Sequence, residues 1–411
     1  MLVLNYAGRG FSMLSKAIIE LFYQAAHIQR WNDHITPKGF TELDKQAHKM
    51  IIAYIIAKYE ETEKNIEINW KGLIEGGLFE FLHRIVLTDI KPPIFHKLMR
   101  RKGKELNEWV LDQLMNKIDV HEQFFDSFRR YLFSPIWPLE KKILRAAHYL
   151  ATNWEFQIIY NLNKNMYGLE DTKAAIENEL KEHSELIGVQ NLALNRTLYN
   201  FLDFVGQLRF QKRWAQTPRL PETSVMGHML VVAMLSYLCS VEMNACTKRI
   251  VNNYWSSLFH DLPEVLTRDI VSPVKRAVEG LRAIIEEIEK EQFEEKLLPL
   301  LPSAWHKDFR YFIENEFESK IKTENNEIKL VSSEEINESF NKDSYSPVDG
   351  KIIKICDDLA AYVETYFSIS HGITSETLIN AHNALYRQYK QKKIAGINFG
   401  ELFEQFNIGI E

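Results

Sequence analysis

Residues 258–274 read LFHDLPEVLTRDIVSPV, and residues 78–94 read LFEFLHRIVLTDIKPPI. The two segments align without a gap, and the same alignment places His48 on His228. The identical pairs are Leu78 and Leu258, Phe79 and Phe259, Leu82 and Leu262, Asp89 and Asp269, Ile90 and Ile270, and Pro93 and Pro273. An internal repeat of this length indicates two copies of one structural unit.

Weaker matches lie on both sides of this segment. Upstream, Gln29-Arg30-Trp31 resembles Lys212-Arg213-Trp214, and downstream ILRAAHYLATNWE at 143–155 resembles IIKICDDLAAYVE at 352–364. Chance similarity between amphipathic helices is the alternative, but the shared order of the matches argues against it. We therefore predict a duplicated helical domain, with a first copy at 1–165, a helical connector at 166–190 and a second copy at 191–411.

Helical periodicity runs through nearly the whole chain. Apolar residues recur three and four positions apart in segments such as Leu14 to Ala26, Lys45 to Tyr59 and Arg196 to Phe210. The few glycines and prolines fall between these segments. The pattern predicts an all-α fold. A polar insertion near 320–349 interrupts it, and we interpret that insertion as solvated or mobile, either a lid or a disordered decoration.

The composition narrows the class of protein. The chain has 50 Lys+Arg against 56 Asp+Glu and a net charge of −6, which argues against a protein that mainly binds nucleic acid. The three cysteines, Cys239, Cys246 and Cys356, form no CxxC pair, so we expect neither a disulfide framework nor a thiolate zinc site. A reducing compartment fits this usage.

We expect no contact with a membrane. The longest apolar run, from His228 to Met243, contains Ser236, Ser240 and Glu242. The N-terminus lacks the basic region, apolar core and small-residue cleavage site of a signal peptide. We therefore predict a cytoplasmic protein.

Two imidazoles and two carboxylates in the second copy are candidate metal ligands. His260-Asp261 is an adjacent pair, His228 starts an apolar helix, and Asp357 lies among apolar residues of another helix. Such a set can form a mixed nitrogen and oxygen site for a divalent metal. The alternative is that His260-Asp261 is a surface or capping pair, and Asp358 is an alternative to Asp357.

These residues carry a resemblance to a known family. Arg213-Trp214, His228, the run HDLPEVLTRDIVSPVK at 260–275 and Asp357 in KICDDLAAYVE stand in the order found in HD-domain phosphohydrolases. Within that superfamily, the sequence resembles most closely the YfbR-type bacterial 5′-deoxynucleotidases. The resemblance runs from Arg196 to Phe367, less than half of the chain.

The resemblance implies a set of roles. One divalent metal ion (Mn, Co, Zn, Fe, Ni or Mg) would be bound by four ligands. Glu264 would transfer protons, and Asp261 would be the second catalytic residue. Arg213 would hold the phosphate, Trp214 would pack on the sugar, Asp269 would bind the 3′-hydroxyl, and Lys275 would add positive charge. The ligands implied are His228, His260, Asp261 and Asp357.

Each role has a structural alternative. Arg213 can pair with a surface carboxylate, Trp214 can belong to the core, and Glu264 can pair with Arg268. Asp269 can be a cap or turn residue. A solvated side chain is the simpler interpretation of Lys275.

Two features depart from the family pattern. Relatives often have an acidic residue before the first ligand, where this chain has Gly227, and the stretch between Asp269 and Asp357 is long. The first copy has Glu80-Phe81 and His148 where the second has the dyad and Asp357, so a complete metal site is not expected there.

We expect the first copy to act as a built-in partner, because the relatives of this type are dimeric. The chain would then be an intrachain pseudo-dimer, with a further homo-oligomer left open. An alternative is that the first copy binds a nucleotide effector through Arg30 and Trp31.

The sequence therefore predicts a metal-dependent phosphohydrolase acting on a small nucleotide, most directly the 5′-phosphate of a deoxynucleoside or ribonucleoside monophosphate. Hydrolysis of a nucleoside triphosphate or cyclic nucleotide is one alternative. A non-catalytic nucleotide-binding regulatory protein is the other.

Overall fold

The computed structural model describes residues 12–88, 90–268, 270 and 278–409. The chain is 68% helical, and the strands found among these residues form two short antiparallel hairpins. The prediction of an all-α fold is thereby confirmed. Two predicted substrate residues, Asp269 and Lys275, lie outside the described residues, as does Asp89 of the repeat.

The helices fall into three consecutive groups. Those of the first copy are α1 Lys16–Gln24, α2 Glu42–Glu63, α3 Trp70–Leu87, α4 Pro92–Lys117, α5 Glu122–Phe133 and α6 Pro138–Leu162. The connector and the residues after it hold α7 Leu169–Glu182, α8 Ile187–Leu194 and α9 Arg196–Gly206. The later helices are α10 Val225–Glu242, α11 Thr247–Phe259, α12 Glu264–Thr267, α13 Leu281–Gln292, α14 His306–Ile313, α15 Ser333–Glu335, α16 Gly350–Ser370, α17 Glu376–Tyr389 and α18 Phe399–Glu404.

The two hairpins lie in the last third of the chain. The first pairs β1 Lys320–Lys322 with β2 Ile328–Leu330, and the second pairs β3 Lys393–Ile394 with β4 Ile397–Asn398. Short 3₁₀ and π turns occupy Gln207–Arg209, Phe293–Leu297, Leu298–Leu300, Ser303–Trp305, Ile336–Phe340 and Asp343–Tyr345.

One hydrophobic core extends through both halves of the chain. Helix α10 packs against α11 and α16 of its own half and against α2 of the first half. The buried side chains of both halves contact one another in one continuous cluster. Both α2 and α10 are buried around most of their circumference, which explains why α10 is apolar on all its faces.

Helix α10 is long and apolar enough to cross a membrane, the one such helix among the described residues. We expected Ser236, Ser240 and Glu242 to make this segment too polar to cross a membrane. Its mean hydropathy is nevertheless high enough for a span. However, 89% of the helix is buried inside the protein. Burial of this kind is typical of a core helix, so the length and composition of α10 are weak evidence for a membrane span.

Several backbone features occur at matched positions of the two halves. Trp31 and Trp214 both have a φ of 55°, and Thr88 and Arg268 have φ of 58° and 63°. Such values are uncommon for residues other than glycine. Isolated bridges join Gln29 to Thr41 and Lys212 to Ser224. These matched features support the predicted duplication, which stays a prediction.

The positions at which α2 and α10 begin correct one part of the repeat alignment. Thr41 caps α2 and Ser224 caps α10, so the fourth residue after each cap is Lys45 in the first half and His228 in the second. His48, which the sequence alignment placed on His228, instead lies with its Nε2 3.1 Å from the carbonyl oxygen of Leu202. The alignment failed here because the first copy is longer between its helix start and the Leu-Phe match.

The polar insertion is folded: residues 324–330 are exposed, in agreement with a solvated segment, but its ends pack on the core. Its last residue, Asp349, is fully buried and pairs with the buried guanidinium of Arg249 on α11. Ser319 and Ser333 donate hydrogen bonds to the same carboxylate at 3.2 and 2.9 Å. The insertion is therefore anchored to the core at both of its ends.

Candidate metal centre

The first imidazole is placed by the start of α10. The Ser224 side chain accepts a hydrogen bond from the backbone N–H of Gly227 at 2.9 Å, which fixes the first turn of the helix. His228 follows directly and is only 1% exposed. Its Nε2 lies 3.0 Å from Oδ1 of Asp357, which α16 brings in from the far end of the sequence.

The second imidazole and its neighbouring carboxylate come from the end of α11. His260 follows Phe259, the last residue of this helix, and its Nδ1 lies 2.7 Å from the carbonyl oxygen of Ser257. A carbonyl can only accept, so Nδ1 carries a proton and Nε2 is the nitrogen left to face the cluster. This backbone contact orients the ring as the outer contacts of metal-binding histidines do.

Three of the four predicted ligands converge closely. One ligand atom from each of His228, His260 and Asp261 lies within 4.8 Å of the others. Oδ2 of Asp261 is 3.1 Å from His260 Nε2 and 3.9 Å from His228 Nε2. Asp357 adjoins the group through His228. Two imidazole nitrogens and two carboxylates form a donor set that suits a divalent transition metal.

The charges of the cluster also suit a cation. Burial opposes the charged form of His260, but the Asp261 carboxylate outweighs it and raises the pKa of His260 to about 9. Although burial acts in the other direction, His260 also holds the pKa of Asp261 below its usual range. Nε2 of His260 has no well-aligned hydrogen-bond partner among the described residues, although it is buried. The cluster therefore favours a positive charge between the nitrogen and the carboxylate, which a bound metal would supply.

The structure distinguishes the two neighbouring aspartates of α16 by their contacts. Asp357 faces His228, whereas Asp358 accepts a hydrogen bond from the Tyr389 hydroxyl at 2.6 Å. Lys354 bridges them, with its Nζ 2.8 Å from Asp357 and 3.0 Å from Asp358. The position of Asp357 therefore agrees with the choice of Asp357 as the predicted ligand.

Arg213 and Trp214 lie beside the cluster and share one partner. Nη1 of Arg213 is 3.5 Å from Oδ2 of Asp261, and its Nε is 3.6 Å from Glu364. Trp214 donates from its indole nitrogen to Glu364 at 2.9 Å. Glu364 is fully buried and also accepts from Thr223 at 2.5 Å. The Glu364 carboxylate therefore holds both predicted substrate residues, Arg213 and Trp214, in position.

Sequence reasoning missed Glu364, although a signal was present. Both matched segments, 143–155 and 352–364, end in a glutamate inside an apolar helix. Glu155, at the end of the first segment, accepts from Trp31 at 2.9 Å and from Arg30 at 2.9 Å. The same Arg-Trp-Glu contact thus occurs in each half of the chain.

Glu264 begins the short helix α12 and is 7% exposed. The backbone N–H of Arg268, the residue proposed as its alternative partner, donates to the Glu264 carbonyl oxygen at 2.8 Å. A further carboxyl that the sequence did not indicate, Glu316, lies close enough to His260 and Asp261 to interact with both electrostatically. Burial raises the pKa of Glu316. The acidic groups near the cluster therefore extend beyond the predicted set.

The first half of the chain fills the space beside Gly227. A Cβ at this position would lie 2.9 Å from Oδ1 of Asp44 and 3.1 Å from Cδ2 of Leu43, both on α2. An acidic side chain, as in the family pattern, does not fit there. Among the described residues, Nδ1 of His228 accordingly has no hydrogen-bond partner. The Ser224 hydroxyl instead donates to Asp44.

Comparison with known proteins identifies this half of the chain. Residues 205–386 match the family of the HD domain. This match, which covers less than half of the chain, confirms the resemblance of the C-terminal half to HD-domain proteins. A 5′-deoxynucleotidase of Pectobacterium atrosepticum is 25% identical over 188 residues, covering 44% of this chain and 79% of the relative. A 5′-deoxynucleotidase of Vibrio vulnificus is 24% identical over 176 residues, covering 42% and 76%.

Solved structures similar to this chain include one from a bacterium. It is an HD-domain phosphohydrolase of Listeria innocua, with 18% sequence identity and a TM-score of 0.37. The similarity covers 51% of this chain and 86% of that protein.

Proposed function

We propose that the C-terminal half is a metal-dependent phosphohydrolase that removes the 5′-phosphate from deoxynucleoside or ribonucleoside monophosphates. The observation that carries the proposal is the 3.5 Å approach of the Arg213 guanidinium to Asp261 of the His-Asp cluster. A phosphate bound at the cluster would thus meet a guanidinium, which neutralises phosphate oxygens bidentately. The 5′-deoxynucleotidase relatives support the choice of a nucleotide.

A divalent metal held by His228, His260, Asp261 and Asp357 would polarise the phosphoryl group and lower the pKa of a coordinated water. In this proposal Arg213 neutralises the phosphate, and Glu364 keeps its guanidinium directed towards the site.

The remaining roles follow from the residues around the cluster. Glu264, buried one short turn after the dyad, transfers the proton. Trp214 packs on the sugar, and we assign the 3′-hydroxyl to Asp269 and additional positive charge to Lys275. Contact with the sugar face favours the deoxyribose by shape, a preference worth about 1–3 kcal/mol.

A substrate panel tests the proposal. Phosphate release is measured from deoxynucleoside and ribonucleoside monophosphates, a triphosphate and a cyclic nucleotide, each with Mn²⁺, Co²⁺ and Zn²⁺. We expect release from the monophosphates, its loss in Asp261→Asn, and a raised KM in Arg213→Met. Faster release from the triphosphate or the cyclic nucleotide would reassign the substrate. Metal binding without turnover on any substrate would instead favour a regulatory protein.

We also propose that the first half is the built-in partner of the second. Its Glu80 is engaged by Lys49 and Tyr131, and Phe81 occupies the place of Asp261 in the repeat, so this half lacks the ligand set. The continuous core between α2 and α10 supports a partner role. Deletion of residues 1–165 should give insoluble or inactive protein. A soluble and fully active second half would contradict the proposal.

A further inference from the structure

The centre of the first half replaces the metal ligands with basic residues. Lys45 takes the helix position of His228, four residues after the N-cap. Its Nζ lies 2.9 Å from Nδ1 of His148, just as His228 Nε2 lies 3.0 Å from Asp357. An ammonium group therefore lies where the second half presents a metal-binding nitrogen.

The neighbouring carboxylates are already engaged by other cations. Glu80 pairs with Lys49 at 2.5 Å, and Glu42 pairs with Arg30 at 2.8 Å. Glu155 is held by Arg30 at 2.9 Å and by the fully buried Arg209 at 2.6 Å. Each of these carboxylates thus has a cation other than Lys45 at ion-pair distance.

Among the described residues, no carboxylate lies within ion-pair distance of the Lys45 ammonium, although Glu42 and Glu155 are close enough to raise its pKa. Lys45 is 1% exposed, and within the described part of the chain the ring of His148 is the one group at hydrogen-bond distance from its ammonium. Burial and then Arg30 lower the pKa of Lys45 well below its usual value. Burial and then Lys45 and Lys49 do the same to His148. The centre therefore holds basic groups that a buried anion would stabilise.

We propose that this centre is a binding site for a phosphate group, in which Lys45 and His148 hold the oxygens. With an anion bound, protonated Lys45 would supply the positive charge that a metal would supply in the second half, but it cannot activate water. Arg84 and Glu264 occupy matching positions, since the carbonyl of each accepts from the residue that caps its helix. The first half therefore has a guanidinium where the second half has the carboxyl proposed to transfer the proton. The site would bind a phosphate monoester without hydrolysing it.

The surroundings give an anion a route into the site. The Glu80 side chain is 35% exposed and His148 is half-buried, so the centre reaches the surface on this side. Helix α4 lies alongside, tied by a 3.1 Å contact between His96 and the Tyr149 hydroxyl. Its first half exposes a run of basic residues that attracts anions. They are Lys97, Arg100, Arg101, Lys102 and Lys104.

The test uses the full-length chain with Asp261→Asn, which disables the proposed metal centre, and inorganic phosphate as the probe. Equilibrium dialysis with labelled phosphate should show binding that Lys45→Met weakens at least tenfold. Lys58→Met is the matched control, because Lys58 lies on the same helix but is paired with Glu61 and Asp308. The control should bind phosphate as its parent does.

Equal phosphate affinity in Lys45→Met, or no binding by the Asp261→Asn parent, would overturn the proposal. If Lys45→Met does not fold, as judged by its thermal melting, His148→Gln replaces it, and unchanged phosphate affinity in that variant would overturn the proposal equally. Because the metal centre is disabled throughout, the outcome does not depend on the proposed hydrolase activity.

Discussion

Replacing Glu364 with glutamine removes one charge from the group that fixes Arg213 and Trp214. Burial opposes the charged form, but Arg219 and Arg213 outweigh it and lower the pKa of Glu364 from its ordinary 4.5 to about 2. A change of this size corresponds to about 3 kcal/mol of folding free energy at neutral pH. Glu364→Gln should lose about this much stability, since it removes the buried counter-charge that Arg219 and Arg213 share.

The sign of the pH dependence follows from the lowered pKa. A carboxyl with a lowered pKa stabilises the fold above its unfolded value of 4.5, and that contribution disappears as the pH falls through about 2. Urea denaturation at several pH values should therefore show that wild type and Glu364→Gln differ most near neutral pH. The difference should shrink between pH 4.5 and 2.

Glu155→Gln is the matched control for activity. Glu155 is also fully buried, holds Arg30 and Arg209, and has a pKa that these cations lower to about 2 against the effect of burial. Both variants should lose similar stability, but Glu364→Gln alone should lower kcat/KM for phosphate release, by about tenfold or more. Unchanged kcat/KM in folded Glu364→Gln would refute the positioning of Arg213 by this carboxylate.

Asp261→Asn should remove bound metal, seen by elemental analysis, and reduce phosphate release by at least about a hundredfold; retained metal would show that the ligands lie elsewhere. Gly227→Ala should cost about 1–3 kcal/mol in chemical denaturation, because its Cβ meets α2 at 2.9 Å, whereas Gly103→Ala, with no contact closer than 3.5 Å, should not. Equal losses would argue against close packing at Gly227. Asp349→Asn should cost about 3–5 kcal/mol by leaving a buried guanidinium unpaired, and the exposed Glu334→Gln less than about 1 kcal/mol. A small loss in Asp349→Asn would remove the anchor assigned to the insertion.

The helices were predictable because their apolar spacing is a local signal. The periodicity from Arg196 to Phe210, for example, became α9 and the 3₁₀ turn after it. The approach of Asp357 to His228 was predictable only through the family resemblance, since no local pattern brings α16 to α10. Their 3.0 Å contact depends on packing between distant segments.

The missed features have physical reasons of their own. Glu364 was overlooked because only its match to Glu155 in the repeat marked it, and no local spacing reveals the partners of a charged residue in an apolar helix. The equivalence of the Lys45 and His228 positions was not recognised, because the sequence alignment was based on identical residues rather than on the helix caps. Polar composition alone indicated a mobile insertion, although Asp349 pairs with Arg249 about a hundred residues earlier.

Asp44 accepts a hydrogen bond from the Thr41 hydroxyl at 2.6 Å and another from the Ser224 hydroxyl, so a single carboxylate joins the caps of α2 and α10. A protein engineer who transplants the C-terminal half alone would cut this link at the helix that carries His228. The chain is therefore a poor source of interchangeable modules, and useful chimeras would exchange α2 and α10 together.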